Sequence, residues 1–188
     1  WPLERGAEPV AWQGLSPAGL FAAARTDPGL EIVQVNHPVV PDWGNQYYQI
    51  FAVSQFTGEP GVEGFSFDFD AVELFNGRFL DEGLANFDTW MRMLNNGHRV
   101  TATGNSDSHN VVFREPGYPR NYVASRADEP DDADEDELVA GVLAGRVFVT
   151  YGPVLDFQAN GGGPGDLVAA PDGSVRLRAR VQAASWLD

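Results

Sequence analysis

Between residues 16 and 150 the chain alternates helix signals with short apolar runs, and the alternation stops at Gly152-Pro153. Ser16-Pro17 ahead of AGLFAAAR supplies an N-cap and a first-turn proline for a helix, which Asp27-Pro28-Gly29 ends. Leu30 to Val35 predicts a strand terminating at Asn36-His37-Pro38, and Ala71 to Phe75 a second one ended by Asn76-Gly77. Residues 82–96 place apolar side chains at 84, 87, 90, 91 and 94, close to helical period, with Gly97 where a C-cap glycine belongs. A strand over 99–103 runs into TGNSDSHN. Further on, 121–124 predicts a short strand, Asp134 to Ala144 a helix with an acidic first turn, and Arg146 to Thr150 another strand. YYQIF at 47–51 fits a short helix or a strand equally. Such an order predicts an α/β fold with mainly parallel strands.

Beyond Pro153 the pattern changes. Val154 to Gln158 and Ser174 to Gln182 predict strands with no helix between them, the second alternating Val175, Leu177, Ala179 and Val181 with Arg176, Arg178 and Arg180. The intervening NGGGPG lacks the lysine and following helix of a phosphate loop and predicts a hairpin turn. The expected organisation is an α/β unit over residues 1–150 and the start of an antiparallel β domain over 151–188.

Composition narrows the chemistry. The net charge is −15, from 27 acidic and 12 basic residues, a surface that repels phosphate backbones and argues against a nucleic-acid partner. Every basic residue is arginine, so lysine nucleophiles and Schiff bases are excluded for this chain. With no cysteine, disulfides, thiolate catalysis and cysteine-ligated metals are excluded too. No apolar run reaches the roughly 20 residues that span a bilayer, so no membrane partner is expected. The opening on Trp1, without a methionine, leads us to expect further chain upstream.

Three apolar runs end in residues with ligand or acid–base potential: Val35-Asn-His37, Val72-Glu73-Leu-Phe-Asn76, and Ala102-Thr-Gly-Asn-Ser-Asp107-Ser-His109. The carboxyl ends of parallel strands form the face on which α/β folds assemble their sites. His37, Asp107 and His109 are therefore candidate ligands, imidazole and carboxylate being suited to zinc, manganese or iron. The plainer readings are a capping or surface role for His37, a structural carboxylate for Glu73 and a surface role for His98. Arg114 and Arg120 follow the Asp-x-His segment and either bind a substrate anion or pair with the acidic loop, where residues 128–137 hold eight acids in ten positions. That acidic run matches no EF-hand spacing and is expected to be solvated. Trp12, Trp43, Tyr47 and Tyr48 either stack on a flat ligand or pack a core.

The ordered set NHP, VELFNG, LNNGHRVTATGNSDSH with Trp90 before it, GYPRNYV, GRVFVTYGPVLDF and NGGGPGD resembles the PHP (polymerase and histidinol phosphatase) superfamily, in its carbaryl-hydrolase-like branch. The resemblance spans nearly the whole chain. It implies a distorted (β/α)7 barrel with divalent metals at its strand ends and phosphoesterase or related ester-hydrolase activity on a small molecule. It also implies that His37, Asp107 and His109 are metal ligands and leaves the role of Glu73 open. The family's opening His-x-His strand and bridging glutamate have no counterpart upstream of His37, and only three histidines exist in all. The expectation is thus the C-terminal part of a PHP-type barrel plus the first strands of its β domain, inactive alone. A non-catalytic binding or scaffold module, with carbohydrate as one ligand, is the alternative. An incomplete barrel would expose strand edges and favour self-association.

Overall fold

The computed structural model describes residues 12–27, 29–42, 44–110, 112 and 115–186. Helix α1 (Pro17–Ala24) starts where Ser16 caps it, its Oγ accepting from the Gly19 amide at 3.1 Å. The chain then enters a three-stranded parallel sheet in the order β1 (Gln34–Val35), β2 (Ala71–Asn76), β3 (Thr101–Asn105). Of the run 30–35 only the last two residues join the ladder. Val33 instead presents its amide to Asp70 Oδ2 at 2.8 Å, and Arg25 reaches the same carboxylate at 3.1 Å. The central strand β2 is buried nearly throughout, as expected of a parallel strand covered on both faces.

YYQIF resolves as the short helix α2 (Tyr47–Ile50), which puts Tyr47 and Tyr48 into the core. Tyr47 packs against Phe21, Phe51, Phe65 and Phe69, and Tyr48 donates its hydroxyl to Met93 Sδ at 3.4 Å. Core packing therefore accounts for both tyrosines. Trp12 is exposed, and Trp43 lies outside the described residues.

Helix α3 (Leu80–Asn95) packs on β2, though not by the face its apolar spacing predicts. The fully buried positions are Gly83, Asn86, Thr89 and Met93, while Leu84, Phe87 and Met91 are exposed. Gly83 decides this: an added Cβ would collide with the Phe75 ring, so the helix meets Phe75 of β2 at its one residue without a side chain. Asn86 Nδ2 faces the carbonyls of Leu74 and Val39, and Trp90 Nε1 donates to Val100 O at 2.7 Å.

The expectation of mainly parallel strands holds for β1 to β3 only. Strand β4 (Arg120–Val123) pairs antiparallel with β5 (Val147–Thr150), although α4 (Glu135–Leu143) lies between them in sequence. The reason is the acidic segment 124–134. A tight turn at Gly145 makes α4 run against β5, so this segment must first return the chain to the end from which β4 started. One helix between two strands then no longer implies a parallel crossover. Asp134 caps α4, its carboxylate accepting from the Asp136 amide at 3.0 Å.

Strands β6 (Val154–Ala159) and β7 (Leu177–Gln182) form a separate antiparallel ribbon. Asn160 and Gly161 both adopt positive φ, and Ala159 and Gly162 exchange backbone bonds around them, the pattern of a two-residue Asn-Gly turn. The architecture is thus mixed α/β, with one parallel and two antiparallel sheets, and the described residues form no closed barrel. No helix among them is long and apolar enough to cross a membrane.

Candidate metal centre at the strand ends

Strands β1, β2 and β3 end side by side, and each run terminates in an asparagine: Asn36, Asn76, Asn105. Between them lies Glu73 of β2, 1 % exposed. Its Oε2 accepts from the His37 backbone amide at 2.7 Å and from Asn76 Nδ2 at 3.1 Å, and its Oε1 from Asn105 Nδ2 at 2.8 Å. A carboxylate withdrawn this far from water needs such donors to remain tolerable. Glu73 therefore ties the ends of all three strands together, the structural role among its sequence alternatives.

The network continues outward. Asn121 Nδ2 donates to Asn105 Oδ1 at 3.2 Å, and Thr103 Oγ1 donates to Gln34 Oε1 at 3.0 Å. Sequence reasoning passed over these amides, although an asparagine closing each of three successive apolar runs is a signal that could have found Asn76 and Asn105, which are partners in register.

Two of the three candidate ligands occupy unusual backbone. His37 has φ +33° and Asp107 has φ +47°, in the left-handed region that costs an L-residue roughly 1–2 kcal/mol. His37 is held there by the Glu73 contact to its amide. Both strand-end histidines also have Nδ1 against an oxygen: His37 Nδ1 lies 2.9 Å from Gln46 Oε1, and His109 Nδ1 lies 2.8 Å from the Asp107 carbonyl. An oxygen facing Nδ1 favours a proton on that nitrogen, which in the neutral ring leaves Nε2 as the donor atom. Metal-binding imidazoles are oriented in this way, by an oxygen acceptor on the opposite nitrogen.

Asp107 and His109 stand together, with Nδ1 to Oδ1 at 3.5 Å and His109 well exposed. His37 is not gathered with them: among the described residues no three His, Asp or Glu side chains are grouped closely enough to hold a metal ion. The neighbourhood of His37 holds Glu82 and Asp42 instead. Burial is the main cause that raises the Glu82 carboxyl pKa above its ordinary value; Asp42 adds to it and His37 opposes it. Imidazole and carboxylate are donor types that divalent cations take, but the described residues do not gather three of them.

Arg120 is the first residue of β4, exposed and opposite Thr150. Strand alternation turns it to the face opposite its neighbour Asn121, away from the amide network. Arg114 lies outside the described residues. The acidic loop finds its arginine in Arg126, whose Nε is 2.9 Å from Glu137 Oε1. His98 stacks on Phe67 with ring centroids 3.7 Å apart and pairs with Glu59, a surface arrangement remote from the strand ends.

No family model, curated protein or solved structure matches this chain.

Proposed function

We propose that the chain is part of a metal-dependent hydrolase of phosphoesterase type that acts on a small-molecule ester, with His37, Asp107 and His109 as its share of the metal donors. The observation that carries this reading is the common orientation of the two strand-end histidines, each with Nδ1 turned to an oxygen. A zinc, manganese or iron ion bound there would acidify a water toward neutral pH for attack on the ester. Gln46 and the Asp107 carbonyl would fix the imidazole tautomers, and Glu73 would hold the His37 backbone in place. Three donors are fewer than a two-metal centre uses, so on this reading the chain needs further donors and is inactive alone.

A second reading, a non-catalytic scaffold with a PHP-like fold, is favoured by the ungathered donor set among the described residues and by the engagement of Glu73 in three internal contacts. Elemental analysis of chelator-free protein incubated with manganese or zinc separates the two. Stoichiometric metal lost in the His37→Ala, Asp107→Ala, His109→Ala triple variant supports the hydrolase reading. Metal retained by the variant rules out these three donors and supports the scaffold, whereas a metal-free wild-type chain is the outcome of either reading, since the hydrolase needs further donors.

A further inference from the structure

At the opposite end of β3 from Asp107 there is a cavity of about 580 Å³ between the C-terminal halves of α3 and α4, the first residues of β3 and β5, and the loop 164–167. Its volume falls within the roughly 300–1,000 Å³ typical of small-ligand sites. Trp90, Leu94, Val100, Leu143 and Leu167 line it, and two arginines, Arg99 and Arg146, join them. We propose that this cavity binds a small amphipathic carboxylate, an apolar ring or chain bearing one anionic head.

The apolar part has a fixed wall. The Trp90 indole is anchored by its bond to Val100 O at 2.7 Å, so the ring keeps its orientation without a ligand. The charged part is specific in a chain that carries more than twice as many acids as arginines. Among the described residues, neither Arg99 nor Arg146 has a carboxylate within salt-bridge distance. The acid on the lining, Asp166, is engaged in its own turn, its Oδ2 accepting from the Gly163 amide at 2.8 Å. Arg99 donates one Nη2–H to Gly165 O at 2.7 Å, which positions its guanidinium while other N–H groups remain for an anion. A lining that combines the Trp90 ring and the partly open Leu143 and Leu167 side chains with two arginines suits an aryl or alkyl carboxylate. Because the site lies away from His37, Asp107 and His109, it stands independently of the hydrolase reading.

Isothermal titration with naphthalene-2-carboxylate, its uncharged analogue 2-naphthylmethanol, and acetate tests the assignment. Saturable binding of the naphthoate is expected, with the alcohol and acetate each at least about tenfold weaker. Arg146→Gln and Arg99→Gln should each weaken naphthoate by roughly tenfold or more without changing the alcohol, as the loss of a charge-assisted bond requires. Circular dichroism checks that both variants fold. No saturable naphthoate binding at millimolar concentration, equal binding of the alcohol, or unchanged affinity in both folded variants would each overturn the proposal.

Discussion

Asn121 and Gly104 exchange two hydrogen bonds: the Gly104 amide donates to Asn121 Oδ1 and Asn121 Nδ2 donates to Gly104 O, both at 2.9 Å. A side-chain amide here takes the place of a neighbouring strand and joins the edge of the parallel sheet to the β4–β5 pair. Gly104 is also closely packed, since an added Cβ would run into Val149 and lie 3.1 Å from Pro119 Cγ.

Replacing Asn121 with alanine leaves both backbone groups of Gly104 without that partner. At a part-buried position the expected loss is about 1–3 kcal/mol, read as a lower urea midpoint with unchanged slope. Asn121→Asp keeps the acceptor, removes the donor and sets a charge beside Asn105 in the network around Glu73; it should be at least as damaging. An aspartate variant as stable as wild type would show that the donor half of the pair is unimportant.

Glu73 is the next test of the strand-end clamp. Glutamine preserves its shape but carries only one oxygen, and donors approach both oxygens of the carboxylate. Either orientation of the amide therefore turns an N–H against a donor. Glu73→Gln should cost roughly 2–4 kcal/mol in chemical denaturation, and Glu73→Ala more, because a cavity is added. If glutamine were neutral, the carboxylate would not be holding the strand ends.

The sequence carried some of this plainly and some not at all. The helix start at Ser16 was legible because capping is a local chemistry, α4 was legible from its acidic first turn, and so was the stop at Gly97, which adopts φ +88°. The buried face of α3 was not legible, because it is selected by Gly83 against Phe75, a contact between elements that no periodicity contains. Strand direction at β4 and β5 was hidden for the same reason: it depends on the path of the acidic segment. At the site, the residue types were readable at 37, 73, 107 and 109. Their grouping depends on loop backbone at His37 and Asp107, which spacing does not specify.

Gly165 governs how the ribbon's loop meets the rest of the chain. It has φ +80°, and an added Cβ would collide with Ala144 O and lie 2.8 Å from Gly145 C and 3.0 Å from the Arg146 amide nitrogen. Those neighbours are backbone and cannot swing aside. Gly165→Ala should cost about 1–3 kcal/mol and lift the loop off the α4–β5 turn, losing the Arg99 contact to Gly165 O. Limited proteolysis should then cut within 160–176 faster than in wild type, while Gly163→Ala, with open space around its Cβ position, should not accelerate cleavage.

Glu82 supplies a pH signature. It sits in the first turn of α3, where the helix dipole favours a charged carboxylate, yet burial and Asp42 outweigh that and raise its pKa in the folded state. A carboxyl whose folded pKa exceeds its unfolded value binds protons more tightly when folded. Its contribution to stability is greatest at acid pH and is lost as pH rises through the folded pKa. Glu82→Gln removes that dependence. The variant should gain stability relative to wild type as pH rises from about 4 to about 7, and the gain should fade below the ordinary carboxylate range. Thermal melts at half-unit pH intervals measure the difference directly. Parallel curves for the two proteins would mean that solvent and the helix dipole, not burial, set the charge of Glu82.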